Sequence, residues 1–374
     1  MTGAELSAVS EALLSGWITS GPRVEAFQKA FAEHVGVPHA LAVTSATAGF
    51  HLLIRAMGIG PGDEVVTASL TWPSAVNMVE AAGATPIFAD VDRHTLQLDP
   101  QSVRSVMTKR TKAVIPVHFA GQPCDLDELR SICAEHGAVL IEDAAHAVGT
   151  EYRGRRIGSQ GNPTVFSFHA IKNLTTGEGG MITTSDEALK ERLVSLRFHG
   201  VNTDAWRRYA GSARTGYDLL EPGFKYNLTD IQGALGLVQL GRIDALNARR
   251  AELAALYDRL LDSVPEIERP ARVPYPSRHA WHLYQVLVDR ERSGVSRDDL
   301  REELKKRNIG TGLHFLAVHE LTYYKEKYPA PPGRLANTEA IAQRIVSLPL
   351  FPDMTDDDVR QVVEEIRSVV RARS

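Results

Sequence analysis

The sequence predicts an α/β protein in which a mainly parallel, seven-stranded sheet lies between helices and is followed by a smaller α+β domain. Short apolar runs alternate with helical periods from residue 23 to about residue 236, and such alternation builds parallel sheets covered by helices. The pattern becomes strongly helical from Thr229 and then mixes strands with helices. At 374 residues, the chain is also long enough for two domains.

We divide the chain into three parts. Residues 1–22 form an N-terminal segment that packs with the small domain, residues 23–236 the large domain, and residues 237–374 the small C-terminal domain. Hydrophobic residues make up 43% and charged residues 24%, which is typical of globular proteins. The predicted strands of the large domain are 40–43, 64–68, 86–89, 113–118, 139–141, 164–168 and 181–184.

The first junction between a strand and a helix carries the sequence TSATAG, from Thr44 to Gly49. Free N–H groups in the first turn of a helix, together with the hydroxyls of Ser45 and Thr47, can receive a phosphate. Ser and Thr are also ordinary helix caps, so this motif alone leaves both interpretations open.

A second junction of this kind, SLTWPSA, places Trp72 directly before Pro73. A flat indole at this position can lie against the ring of a cofactor and exclude water. Packing in the hydrophobic core is the alternative.

The apolar run VLIEDAAHAVG is typical of a buried parallel strand, and it ends in Glu142 and Asp143. Ligands bind at such strand ends. A carboxylate there can keep the ring nitrogen of pyridoxal phosphate (PLP) protonated, although Asp143 could instead cap the following segment. His146, three residues further on, is either a ligand-facing group or a satisfied buried histidine.

The stretch FSFHAIKNLTTGEGG contains one lysine, Lys172, between two predicted strands and close to a glycine turn. A lysine acts as a nucleophile when burial or a neighbouring cation lowers its pKa, and the confined position of Lys172 favours this. We therefore interpret Lys172 as a Schiff-base lysine. Most lysines are solvated surface residues, so the interpretation depends on Asp143 as its partner.

The segment from His199 to Asn227 has little periodicity and is rich in cationic and aromatic residues, which predicts a long functional loop. Arg214, Tyr217 and Lys225 are its candidate substrate residues, because guanidinium groups bind phosphate oxygens and rings offer stacking faces. An ordinary solvated loop is the alternative.

The C-terminal part begins with a long apolar stripe at helical spacing, which indicates a core-packing helix. Strands follow near 282–288 and 310–315, and helices near 297–307 and 356–370. His314 and Phe315 end the second of these strands and are predicted to face a cleft between the domains.

The segments SFHAIKNLTTGEGG, IEDAAHAVGT, TSATAGFH, SLTWPSAVN, FKYNLTDIQ and GLHF resemble those of PLP-dependent nucleotide-sugar aminotransferases. These enzymes form a branch of the aspartate aminotransferase superfamily, fold type I. The resemblance covers essentially the whole chain. Within the branch, SGWITSGP, HAWHL, IGTGLHF and SLPLFPDMT are most similar to the enzymes that form UDP-4-amino-4-deoxy-L-arabinose for lipid A modification.

The resemblance implies a set of site residues. Lys172 carries PLP, Asp143 holds its ring nitrogen, Trp72 stacks on the ring and His146 reaches its phenolic oxygen. Its phosphate is held at the positions of Thr47, Ala48, Ser167 and Asn227. The asparagine comes from the neighbouring subunit, which implies a homodimer with shared active sites. His314 and Phe315 lie near the substrate.

The expected activity is transfer of an amino group from L-glutamate to a nucleotide-linked keto sugar, with the C4 ketone of a UDP-4-keto-pentose as the expected acceptor. A PLP-dependent sugar dehydrase is the main alternative, but related dehydrases have histidine where this chain has Lys172. A catalytically silent PLP-binding regulator is a second alternative.

The formal net charge of −4, spread without long like-charge blocks, argues against a general nucleic-acid or membrane-binding surface. The two cysteines, Cys124 and Cys133, predict neither a disulfide framework nor a Cys-rich zinc site, and no metal site is expected. The N-terminus lacks a basic region followed by an apolar core, and no apolar run reaches the length of a membrane span. We therefore expect a cytoplasmic protein.

Overall fold

A computed structural model describes residues 1–201 and 218–371, and within them seven strands form one central sheet. The strands are β1 His39–Val43, β2 Glu64–Ala68, β3 Thr85–Ala89, β4 Thr111–Ile115, β5 in two pieces (Val139–Leu140 and Glu142–Asp143), β6 Thr164–Ser167 and β7 Gly180–Thr184. The first piece of β5 pairs with β4 and the second with β6, so β5 joins the two halves of the sheet. The strand order is therefore β3-β2-β4-β5-β6-β7-β1.

Strand β7 is antiparallel to both of its neighbours, and the other pairs are parallel. This arrangement confirms the predicted mainly parallel sheet. Successive residues of a strand point to opposite faces, and Val65 and Val66 accordingly belong to separate buried clusters. Both faces of the sheet are buried, which explains why its strands are continuous apolar runs.

The helices around the central sheet alternate with its strands, as the sequence pattern predicted. Their bounds are Pro22–Val35, Ala46–Ala56, Ser74–Ala81, Pro100–Val106, Leu126–His136 and Glu187–Arg197.

A long helix, Asp230–Leu261, connects the central sheet to a second core. A capping box fixes its start, because the N–H of Gln232 donates to Thr229 Oγ1 and the N–H of Thr229 donates to Gln232 Oε1 at 3.1 Å. The buried carboxylate of Asp230 accepts the N–H of Val24 at 3.0 Å and so ties the long helix to the helix Pro22–Val35. The N-terminal helix Gly3–Leu14 also lies on the long helix, where Glu5 accepts from Gln239 and Arg242. The division of the chain into domains stays a prediction.

The second core lies between an antiparallel sheet and helices. The strands are Ile267–Glu268, Tyr284–Val288 and Ile345–Leu348. The helices that follow the long helix along the chain are Arg290–Ser293, Arg297–Lys306, Thr322–Lys327, Ala336–Arg344 and Asp356–Arg371. A small separate sheet joins Glu151–Tyr152, Arg155–Arg156 and Ser277–Arg278.

The predicted strand at 310–315 is wrong. In this stretch only Gly312 forms a bridge, which exchanges two main-chain hydrogen bonds of 2.9 Å with Ser347. Gly310 and Gly312 have no side chains to pack on a sheet, which weakens a strand there. The sequence prediction missed the strand Ile345–Leu348, which pairs with Tyr284–Val288 instead. Among the described residues, no helix is both long and apolar enough to cross a membrane.

Candidate active site

The candidate site lies at the edge of the central sheet where the parallel strands end. Asp143 ends β5, Ser167 ends β6, and Val43 ends β1 just before the helix Ala46–Ala56. Asp143 pairs with Val165, two residues before Ser167, while Ser167 pairs through Gly180 with the end of β1. The sheet register therefore brings these strand ends to a single edge, as the sequence predicted for ligand-binding strand ends.

Lys172 lies in an irregular turn between β6 and β7, and it is half-buried. Burial lowers the pKa of its ammonium from 10.5 to about 8, and the negative charge of Asp143 opposes this shift. About a tenth of the amine is then unprotonated at neutral pH, which is the form that can act as a nucleophile or base.

Asp143 is buried, with 5% of its surface exposed. Burial raises the pKa of its carboxyl, while the N–H of Ala145 and the charge of Lys172 oppose the rise. One carboxylate oxygen accepts the Ala145 N–H at 2.9 Å, and the other has no hydrogen-bond partner among the described residues. Asp143 thus offers an open, poorly solvated acceptor that favours a positively charged donor.

His146 and His118 lie close to Asp143 and have different environments. The Nδ1 atom of His146 accepts the N–H of Ala120 at 3.3 Å, and burial holds the pKa of His146 well below its ordinary value. His146 is therefore neutral, with its proton on Nε2, where it can donate to a ligand. His118 is fully buried, and its Nε2 lies 3.0 Å from Glu142 Oε2.

The start of the helix Ala46–Ala56 is the candidate phosphate site. The hydroxyl of Ser45 caps the helix by accepting the N–H of Ala48 at 3.1 Å. The N–H of Thr47, by contrast, has no partner within residues 1–201 and 218–371. Gly180 lies tightly against this turn, since an added Cβ would come within 2.7 Å of the carbonyl carbon of Ser45. Ser167, with 7% of its surface exposed, lies opposite Gly180 on the neighbouring strand.

Aromatic rings form one wall of the site. The rings of Trp72 and Phe315 lie 6.3 Å apart, and those of His146 and Phe315 lie 5.9 Å apart and nearly parallel. Phe119 packs against Phe315 at 5.9 Å. Trp72 is 65% exposed, so the interpretation of its indole as a core-packing group does not hold.

His314 lies next to Phe315 and is linked to the second sheet. Its Nδ1 lies 2.9 Å from the hydroxyl of Ser347, in the strand that the sequence prediction missed. Burial lowers the pKa of His314 to about 4, and the charge of Lys172 contributes. The structure therefore brings His314 and Phe315 to the same site as Lys172.

The remaining predicted residues lie at the outer edge of the sheet or outside the described residues. Asn227 bridges Val43 on β1, and its Nδ2 donates to Ser20 Oγ at 2.7 Å. Lys225 donates to Asn227 Oδ1, and its ammonium lies 4.2 Å from the centre of the Phe198 ring. Arg214 and Tyr217 lie outside the described residues.

Three polar residues near Lys172 were missed as site residues. Asn173, His282 and Asn247 are buried, and both His282 and Asn247 are hydrogen-bonded to Asn173, the residue that follows Lys172. In the sequence, Asn173 follows the lysine and His282 lies in the HAWHL segment. Neither residue type at these positions carries a recognisable chemistry without the fold.

The site residues fit PLP. The amine with a lowered pKa matches the aldehyde of PLP, and the buried carboxylate with an open oxygen matches its ring nitrogen. The open N–H at a helix start matches its phosphate, and the flat aromatic wall matches its ring face. Within the described ranges, no cluster of three or more His, Cys, Asp or Glu side chains is arranged to hold a metal ion.

Comparison with known proteins identifies the family of the chain. A family model described as the DegT/DnrJ/EryC1/StrS aminotransferase family matches residues 1–367. The structure of DesV from S. venezuelae is 35% identical, with 98% of this chain and 94% of that chain covered and a TM-score of 0.89. A Streptococcus pneumoniae protein solved in its PLP form is 30% identical over 100% of this chain and 97% of its own, with a TM-score of 0.91. Helicobacter pylori PseC, an aminotransferase involved in the biosynthesis of pseudoaminic acid, is 27% identical over 100% and 97%, with a TM-score of 0.91.

Proposed function

The chain belongs to the DegT/DnrJ/EryC1/StrS aminotransferase family, and from this premise we propose that it transfers an amino group from L-glutamate to a ketone of a nucleotide-linked sugar. The enzyme is a PLP-dependent sugar aminotransferase. The observation that carries the proposal for its site is that Lys172, whose pKa burial lowers to about 8, lies close enough to the buried carboxylate of Asp143 for the two charges to interact.

We assign the site residues as follows. Lys172 holds PLP and, once its amine is released, moves the proton at the carbon that gains or loses nitrogen. PLP, when bound, supplies the electron sink for that carbon. Asp143 keeps the ring nitrogen of PLP protonated, because its open oxygen is buried where a charge-assisted hydrogen bond is strong. Removal of such an electrostatic partner typically costs about 10² to 10³ in kcat.

The positions of the other residues support complementary roles. We assign the phosphate to Thr47 and Ala48 at the start of the helix Ala46–Ala56 and to Ser167, with the open N–H at Thr47 as the principal donor because Ser45 Oγ already accepts the N–H of Ala48. With PLP bound, the Nε2–H of His146 would donate to the phenolic oxygen, and the indole of Trp72 would cover the ring. His314 and Phe315 contact the sugar, and Arg214, Tyr217 and Lys225 bind its diphosphate.

The acceptor that we propose is the C4 ketone of a UDP-4-keto-pentose, with UDP-4-amino-4-deoxy-L-arabinose as the product and lipid A modification as its use. The support is the sequence resemblance of HAWHL and IGTGLHF to enzymes of that reaction. Incubation with PLP, L-glutamate and UDP-4-keto-pentose, followed by mass analysis of the sugar, tests this. Amination of a 4-keto hexose but not of the pentose would overturn the choice of sugar and leave the reaction class intact.

We further propose a cytoplasmic homodimer with shared sites, in which Asn227 completes the phosphate site of the partner. The buried, free thiols of Cys124 and Cys133 are consistent with a reducing compartment. A mixture of Lys172→Ala and Asn227→Ala chains tests the sharing, because one site of the mixed dimer then contains both native residues. Activity above that of either variant alone supports shared sites. Activity no higher than the average of the two contradicts them.

A further inference from the structure

The turn that carries Lys172 has no regular secondary structure to hold it. Ile171 is 57% exposed, and Gly177 and Glu178 further along the turn are also exposed. The main-chain N–H of Lys172 itself makes a single turn bond, to the carbonyl of His169 at 2.9 Å. The position of the lysine therefore depends on side chains that fix the turn to the rest of the molecule.

Asn173, directly after the lysine, is the first of four buried residues in this turn, 173–176, and the one next to Lys172. It is 7% exposed, and its amide forms three hydrogen bonds. Its Nδ2 donates to Asn247 Oδ1 at 2.8 Å and to the carbonyl of Ala280 at 2.7 Å. Its Oδ1 lies 3.0 Å from His282 Nδ1. Both amide hydrogens are thus used, and the oxygen is paired.

The partners of Asn173 belong to separate elements that are themselves held in place. Asn247, on the long helix Asp230–Leu261, donates its Nδ2 to the carbonyl of Val148 at 2.9 Å, in the loop after Asp143. His282 precedes the strand Tyr284–Val288, and its main-chain N–H donates to Ala120 at 2.9 Å.

The tautomer of His282 follows from this arrangement. Because Asn173 uses both of its amide hydrogens elsewhere, its oxygen faces the imidazole and His282 carries its proton on Nδ1. The other nitrogen, Nε2, is buried and has no partner among the described residues. The ring of His282 packs against that of His146, with centroids 4.4 Å apart. The cluster therefore connects Lys172, His146 and the loop after Asp143.

We propose that Asn173, held by Asn247 and His282, is a positioning residue that fixes Lys172 in the orientation required to react with PLP. The proposal rests on the proposed role of Lys172 as the PLP-binding lysine. An asparagine suits this position because one short side chain supplies two donors and an acceptor to three different elements. Alanine supplies none of these groups, and a misplacement of a reacting group by about 1 Å can slow a reaction roughly a hundredfold.

The test measures bond formation at Lys172 rather than turnover. Full-length protein freed of PLP is mixed with PLP and quenched at intervals with borohydride, and the modified peptide is identified by mass spectrometry. The compared proteins are the unaltered chain, Asn173→Ala, Asn247→Ala, the double variant and the control Asn337→Ala. The control also loses an asparagine side-chain bond, from Nδ2 to the carbonyl of Val91 at 2.9 Å, at a place remote from Lys172.

We expect Asn173→Ala to slow trapping at Lys172 by about tenfold or more and to alter the visible circular dichroism of the bound PLP. Asn247→Ala should also slow trapping at Lys172 and alter the dichroism. The double variant should be no slower than Asn173→Ala, because Asn247 acts through Asn173. Asn337→Ala should match the unaltered chain in both measurements.

An unchanged trapping rate and dichroism in Asn173→Ala would overturn the proposal. Additive losses in the double variant would overturn the role given to Asn247. If the unaltered chain is trapped at a lysine other than Lys172, the proposed function fails, and this outcome differs from both of the others. The thermal midpoints show whether each variant is folded. If Asn173→Ala does not fold, Asn247→Ala tests the proposal at a residue outside the turn.

Discussion

Replacement of Asp143 by asparagine should lower the pKa of Lys172. Burial and the Asp143 carboxylate act on this lysine in opposite directions, and together they place its pKa at about 8 rather than 10.5. At pH 7 this raises the fraction of free amine roughly three-hundredfold over that of an ordinary lysine. Asp143→Asn removes the opposing negative charge and leaves the burial, so the pKa should fall below 8 and the free amine at pH 7 should increase.

Pulse labelling of the cofactor-free protein with an amine reagent between pH 6 and pH 11 measures this pKa. The yield at the Lys172 peptide is quantified by mass spectrometry. Lys29, which is 81% exposed, serves as an internal reference for the reagent. We expect a midpoint near pH 8 in the unaltered chain and a lower midpoint in Asp143→Asn. A midpoint above pH 10 in the unaltered chain, or a higher midpoint in the variant, would refute the reasoning.

Three further predictions follow from the same geometry. Lys172→Ala should fold but give no visible absorbance with PLP and no borohydride-fixed cofactor, whereas Lys29→Ala should keep both; fixed cofactor in Lys172→Ala would contradict the assignment. Gly180→Ala should weaken PLP binding by about tenfold or more, because its Cβ would come within 2.7 Å of Ser45 and displace the helix start, and an unchanged dissociation constant in fluorescence titration would count against the phosphate site. Because the pKa of Lys172 is lower in the folded state, the unfolded chain binds more protons than the folded chain between pH 8 and pH 10.5. The free energy of unfolding of the cofactor-free protein should therefore rise by up to about 3 kcal/mol from pH 8 to pH 10.5. Denaturant unfolding of Lys172→Met should lack this gain, and an identical pH dependence in the two proteins would exclude it.

Much of the fold could be predicted from the spacing of apolar residues along the sequence. Strands such as Glu64–Ala68 are buried on both faces, so their apolar runs stand out against the helices around them. The antiparallel direction of β7 was not predictable, because period and composition carry no sign of strand direction. The prediction of a strand at 310–315 failed because the alternating apolar and polar residues from Leu313 to Phe315 resemble a short strand. The strand that pairs with Tyr284–Val288 is instead Ile345–Leu348.

Some residues of the candidate site could likewise be proposed from the sequence, and others could not. Lys172 and Asp143 could be proposed from the sequence because each has a chemistry that its setting reveals, an amine in a confined turn and a carboxylate at a strand end. Asn173, His282 and Asn247 were not found, since their roles depend on hydrogen bonds between residues up to 109 positions apart. The exposure of Trp72 likewise depends on how the two cores meet and not on the local sequence.

The most direct test of the central claim is the absorbance spectrum of the PLP-loaded protein through both half-reactions. L-Glutamate should convert the visible band of lysine-bound PLP to the near-ultraviolet band of pyridoxamine phosphate, and UDP-4-keto-pentose should restore the visible band with the aminated sugar as product. Conversion without restoration would show the aminotransferase chemistry with a different sugar as acceptor. A spectrum that L-glutamate leaves unchanged would contradict the proposed transfer from glutamate at Lys172.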